Sequence, residues 1–209
     1  MTQATPVTPK LDARRTALVI VDLQDDFITP GGAYDRGGAA TAQAQALPER
    51  LAPVAASLKA AGGFVAASQF TLWPDASGEP MISPHLKQLR PFLRRGDFAV
   101  GSPGHATVAT LAGYVDVAVW KVAYSAFFNT QLDWVLKNVG IDTVVVCGIV
   151  TNGGVASTAR DAHMRDYRVL VLSDGCAAPT PAMHDAALAD LRTVGDVMTC
   201  EAFAGLIAA

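Results

Sequence analysis

Residues 143–156 read TVVVCGIVTNGGVA. From Thr143 to Cys147 the run is apolar and mostly β-branched, with no polar alternation, which is the pattern of a strand buried on both faces. Gly148 opens a glycine-bearing turn that leads into an amphipathic stretch, Val155 to Arg165. Strand, tight turn and helix in immediate succession form the unit from which parallel sheets are built. The same unit repeats outward in both directions. Thr16–Val21 (TALVIV), Phe64–Ala67, Val115–Trp120 (VDVAVW), Arg168–Leu172 (RVLVL) and a short piece at Val197–Met198 read as further strands, also buried on both faces. Leu47–Ala61, Phe127–Asn138 and Pro181–Val194 read as the intervening helices, the second closed by Gly140 and the third opened by Thr180 as N-cap with Pro181 in the first turn. The pattern predicts one doubly wound α/β domain: a six-stranded, mostly parallel sheet with helices on both faces. Residues 71–113 break the rhythm with five of the 12 prolines, and read as an excursion with short helices, its Arg90, Arg94 and Arg95 on a solvated helix face.

Open parallel sheets bind ligands beyond the carboxyl ends of their strands. The first strand delivers Asp22 there, the third Lys121, and the fourth the segment GIVTNGG, Gly148–Gly154. Singly, each has an ordinary reading as a turn residue, a solvated charge or a tight bend. An acid, a base and a helix N-terminus at one sheet edge are instead the outline of an active site. Aromatic residues Phe27, Trp73 and Tyr124 fall near the same edge and are expected to line it, whereas Phe127 reads equally well as core.

Three ordered blocks make this outline specific. ALVIVDLQDDFITPGG, WKVAYSAFFNTQLDWVL and VCGIVTNGGVASTARDAHMRDYRVLVLSDGCAA resemble the three signature blocks of the isochorismatase-like hydrolases, a superfamily that includes nicotinamidases, N-carbamoylsarcosine amidohydrolases and isochorismatases. The resemblance spans nearly the whole chain from Thr16. It implies that Asp22 is the catalytic carboxylate, Lys121 the catalytic lysine, and the Ile149–Val150 bond a non-proline cis peptide. Thr151, Asn152, Gly153, Gly154 and Val155 fill the pattern T-N-x-C-V of the amidase branch, so Gly154 takes the place of its nucleophilic cysteine. Val150, Thr151, Asn152 and Gly153 are then expected to line the substrate site. A glycine in that place is shared with the isochorismatases, which hydrolyse a vinyl ether without a covalent intermediate, while the Thr151–Asn152 context is that of the amidases.

The expected function is therefore a cysteine-independent hydrolase of a small carboxylated molecule, of vinyl-ether type, with Gly154 clearing space for the substrate. An amidohydrolase that attacks a C–N bond with activated water is the alternative, and an inactive binding protein the second. Thr151 and Ser125 carry hydroxyls but no base dedicated to either is visible. A cysteine introduced at 154 is expected to sit at a helix N-terminus beside Lys121. The stretch after the second strand, SQFTLWPDASG, lacks the histidines by which nicotinamidases hold metal, and His85, His105, His163 and His184 are scattered, the last two on expected surface helices. No metal and no other cofactor is expected.

Composition narrows the setting. A net charge of −3 over 209 residues offers no surplus of basic side chains for nucleic acid. The apolar runs are too short to span a bilayer, and MTQATPVTPK has no signal-peptide form. Cys147, Cys176 and Cys200 are far apart, with neither metal-site nor disulfide spacing, which suits a reducing cytoplasm. Residues 1–15 are expected to be a flexible arm ahead of a hydrolase domain at 16–209. With only 17% charged residues and an apolar tail, EAFAGLIAA, the chain is expected to form a homodimer or homotetramer.

Overall fold

The computed structural model describes residues 11–208. Six strands, β1 (Thr16–Val21), β2 (Phe64–Phe70), β3 (Val117–Lys121), β4 (Thr143–Ile149), β5 (Arg168–Ala177) and β6 (Asp196–Met198), form one sheet in the order β3-β2-β1-β4-β5-β6. Every pairing is parallel. The helices are α1 (Asp25–Ile28), α2 (Ala33–Arg36), α3 (Ala42–Gln45), α4 (Leu47–Ala60), α5 (Pro84–Leu89), α6 (Ala109–Ala112), α7 (Leu132–Asn138), α8 (Ala156–Met164), α9 (Pro181–Leu191) and α10 (Cys200–Ala208).

The order reverses between β1 and β4. From β1 the chain crosses through α4 to β2 on one side, and from β4 through α8 to β5 on the other, so right-handed crossovers put these helices on opposite faces. Where the crossovers diverge, at the carboxyl ends of β1 and β4, is where such a sheet is expected to bind its ligand. Both strands are buried at every position. Helix α4 closes one face with Leu47, Leu51, Val54, Ala55 and Leu58, a stripe at helical spacing. Thr180 caps α9 by accepting from the Met183 amide, as its sequence position predicts.

The edges depart from the sequence reading. β3 starts at Val117 rather than Val115 and is not buried on both faces: Trp120 is 47% exposed while Lys121 is buried. It is an edge strand, so one face lacks a covering helix. The expected helix at 127–138 begins only at Leu132. Before it, Thr130 holds the Ala126 carbonyl and the Leu132 amide, and the chain turns instead of coiling. Arg90 to Arg95 are not a helix face. α5 ends at Leu89, Arg90 donates to the Tyr34 hydroxyl, Arg95 pairs with Glu79, and the Arg94 amide binds the buried Asp97, which also holds Arg36. Of the expected arm, residues 1–10 lie outside the described residues. Leu11 is buried in the core, and Asp12 caps a single turn at Ala13–Arg15. The apolar tail is α10, packed on α4 and β5 with Phe203 fully buried, so its apolar character is accounted for within the chain.

Candidate active site

Asp22 follows the last residue of β1 and Lys121 ends β3, two strands away. Between them Ser68 of β2 stands in register with Val21. Lys121 Nζ lies 2.6 Å from Asp22 Oδ2 and donates to the Ala123 carbonyl at 2.9 Å. Ser68 Oγ donates to Asp22 Oδ1 at 3.0 Å. Asp22 is 5% exposed and Lys121 2%. The carboxylate takes its position with a left-handed backbone, φ +57°, that an aspartate adopts at some cost. Burial pushes the Asp22 carboxyl above its ordinary 3.8, against the downward pull of Lys121 and of the hydrogen bonds from Lys121 and Ser68. A buried ion pair is no cheap source of stability. Its presence at the sheet's switch point directs attention to chemistry instead.

The fourth strand ends in the cis peptide Ile149–Val150, followed by one wide turn of π-helix, Thr151–Val155, that runs into α8. The backbone of β4 comes very close to β1: a Cβ on Gly148, whose φ is +109°, would meet the Val21 carbonyl at 2.1 Å. Gly154 faces Asp22, and a Cβ there would stand 3.5 Å from Asp22 Oδ2. The same atom would be 2.8 Å from the Ile149 carbonyl and 2.9 Å from Val21 Cγ1. Gly154 thus does not clear space, as the sequence suggested. Its missing side chain lets the turn close onto β1 and β4, and an introduced cysteine requires the turn to shift.

A family model for the isochorismatase domain matches residues 16–202. The chain belongs to the isochorismatase family. Among curated relatives of this family protein is ureidoacrylate amidohydrolase RutB of Methylorubrum extorquens, 36% identical over 95% of this chain and 86% of the relative. Two solved structures are similar. A cysteine hydrolase from Pseudomonas syringae pv. phaseolicola 1448A has a TM-score of 0.82 at 27% identity, covering 99% of both chains. N-carbamoylsarcosine amidase from Thermoplasma acidophilum has a TM-score of 0.69 at 26% identity, covering 90% of this chain and 97% of that one. The isochorismatase-like α/β fold and the hydrolase class follow from these matches.

The residues expected to line the site have the following surroundings. Tyr124 lies over the turn, 3.3 Å from where a Cβ on Gly153 would be, and Val150 is 2.9 Å from that point. Asn152 is exposed at the turn's start. Phe27 packs with Tyr34, Phe70 and Phe98 in an aromatic wall, and the Lys121 ammonium sits 5.8 Å over the Phe70 ring. Phe127 is core, stacked on Tyr167. Others must be corrected. Trp73 packs edge-on against Trp120, which alternation directs to the sheet face opposite Lys121. Thr151 is fully buried and its hydroxyl is engaged by His184 Nδ1 at 2.8 Å, so its side chain does not line the crevice. His184 is half-buried on α9, and Thr151 does have a histidine partner. Ser125 instead turns its hydroxyl to the Phe127 amide.

The sequence reading missed Ser68, Tyr34 and His184. Ser68 was detectable as the polar residue of β2 level with the end of β1. Tyr34 lies close enough to Asp22 for that charge to raise its phenol pKa, with burial as the larger cause and Arg90 opposing. All three thiols are buried. Burial raises all three, Cys200 to about 12, and Cys147 and Cys176 point at the Val19 and Val146 carbonyls. Among the described residues no three His, Cys, Asp or Glu side chains gather as a metal site, and no helix is long and apolar enough to cross a membrane.

Proposed function

We propose that this chain is an amidohydrolase that cleaves a C–N bond of a small carboxylated ureido or carbamoyl compound, with water as the nucleophile. The observation that carries this reading is the buried Asp22–Lys121 pair facing a turn position without a side chain, in a molecule whose three thiols are buried. The likeness to ureidoacrylate amidohydrolase RutB supports the substrate class. In the proposed reaction Asp22 takes a proton from water as its oxygen bonds to the carbonyl carbon. Asp22 returns that proton to the departing nitrogen as the C–N bond breaks. A carboxyl held above its ordinary pKa is a stronger base than a surface aspartate, which suits this exchange. Lys121 keeps the carboxylate oriented and favours its charged form, and Ser68 fixes its other oxygen. Amides at the start of the turn supply donors for the developing oxyanion. Phe27, Tyr124, Val150, Asn152 and Gly153 line the site in this reading. It requires no resident metal or cofactor. We place the enzyme in the cytoplasm, as its three unpaired cysteines suit, and as a homodimer or homotetramer, to be measured by light scattering.

The glycine at 154, in the place where the isochorismatase branch also has glycine, favours a second reading: Asp22 protonates an enol carbon and water completes vinyl-ether hydrolysis. One panel separates the two. Purified protein is offered ureidoacrylate, N-carbamoyl amino acids and isochorismate, with ammonia release and product masses followed. Turnover of a ureido or carbamoyl acid, unaffected by iodoacetamide or a chelator, is the expected result. Turnover of isochorismate alone establishes the second reading. Inactivation by the thiol reagent overturns both, and no turnover of any panel member leaves a binding protein.

A further inference from the structure

Thr151 and Gly154 are the two ends of one turn, and they face different things. Gly154 faces Asp22. Thr151, three residues earlier, faces away, and its hydroxyl meets the His184 ring at 2.8 Å. His184 lies in the first turn of α9, which Thr180 caps and which packs against the π turn. The Thr151 hydroxyl is fully buried, so it is no nucleophile, yet a buried hydroxyl without a partner is costly. The histidine satisfies it and so ties the wide turn to a separate helix. Such a tie has a purpose here: π turns are rare single-turn features, and this one sets Gly154 so close to β1 that a Cβ would meet Val21 Cγ1 at 2.9 Å.

We propose that His184 is a positioning residue, which through Thr151 holds the Gly154 turn at the distance from Asp22 that the reaction needs. The inference rests on the proposed site, but one arm of its test does not need turnover. The His184 ring also lines a cavity of about 530 Å³ between α4 and the start of α9, together with Arg50, Asp174 and Thr180. The helix can therefore accept a smaller residue at 184 without collapse of the core.

The test compares the unmodified protein with His184→Ala, His184→Asn and Thr151→Val. Asparagine can reach the Thr151 hydroxyl from the same backbone position. Hydrogen exchange over residues 150–156, followed by mass spectrometry, should accelerate about tenfold in His184→Ala and Thr151→Val and return close to normal in His184→Asn. With a substrate from the panel, kcat should fall about tenfold in the first two variants with KM within about twofold, because a displaced turn harms geometry more than binding. Combining His184→Ala with Thr151→Val should cost no more than either alone. Unchanged exchange in the turn overturns the proposal. So does faster exchange spread evenly over the whole chain, which marks a merely structural histidine. If the panel yields no turnover, the proposed function fails while the exchange arm still decides whether His184 holds the turn.

Discussion

Asp22 and Lys121 form one ion pair but come from unlike places. β1 is central, buried at every position and paired on both sides. β3 is the edge, paired only with β2 and showing one face to solvent. Asp22 is placed by the core itself: its strand cannot slide without exposing or clashing a whole row of side chains. Lys121 is held by pairing on one side only, in register with Phe70, and alternation turns it inward one residue from the exposed Trp120. The difference teaches that the acid has a fixed seat and the base is the adjustable partner. The molecule compensates at the edge with local bonds, Lys121 to the Ala123 carbonyl and Trp120 Nε1 to Gln69 Oε1.

Replacing either partner should have the largest effect. Asp22→Asn and Lys121→Ala should each lower kcat/KM by about a thousandfold or more, roughly 4 kcal/mol of lost transition-state stabilisation. They should differ in stability. Lys121→Ala leaves a buried carboxyl without its counter-charge, and should lower unfolding free energy at neutral pH by up to about 3 kcal/mol in urea titration. Comparable activity of Lys121→Ala and the unmodified chain would break the pairing argument. Next is the close approach between β1 and β4. Gly148→Ala meets the Val21 carbonyl and a left-handed φ, and should cost about 3 kcal/mol or prevent folding. A variant with an unchanged Tm would mean the two strand ends are not so close.

The pH dependence is a smaller effect. Because the folded state raises Asp22 above 3.8, the native form binds the proton more tightly than the unfolded chain. Asp22's share of stability is therefore complete below pH 3.8 and is lost as pH rises through the folded pKa. Activity that uses the ionised carboxylate runs the other way, rising over the same interval. A kcat/KM profile whose acid limb lies at or below 3.8 would contradict the burial argument. Smallest of all should be Trp120→Ala, on the exposed face of β3. It should change stability by at most about 1 kcal/mol and leave kcat within about threefold, as measured by chemical denaturation and initial rates.

The same contrast explains what could be read from the sequence. Of the central strands β1 was legible residue by residue, and β2, β4 and β5 from their first residue, because burial on both faces leaves an unbroken apolar run; their carboxyl ends continue past that run to Phe70, Ile149 and Ala177. The edge was not: VDVAVW has the composition of a buried strand, and only its missing neighbour exposes Trp120. The start of α7 was misplaced because FFNTQ has helix-compatible spacing, while the Thr130 side chain competes for the backbone. At the site, Asp22 and Lys121 could be placed because each ends or follows a strand, and Gly154 through the resemblance to the T-N-x-C-V pattern. The Thr151–His184 contact could not, since it joins positions 33 apart through helix packing that no local pattern encodes.

Gly154 carries one more consequence, for the routes by which such a site can change over generations. Putting a thiol at this position is not a single step. Its Cβ would press on the Ile149 carbonyl and on Val21 Cγ1, so cysteine alone should destabilise the fold by about 1–3 kcal/mol before offering any chemistry. Val21→Ala removes the side-chain contact, leaving that with the Ile149 carbonyl, and is expected to lower the cost of the cysteine. A random library selected for thiol reactivity at 154 should return second-site replacements at Val21 far above chance.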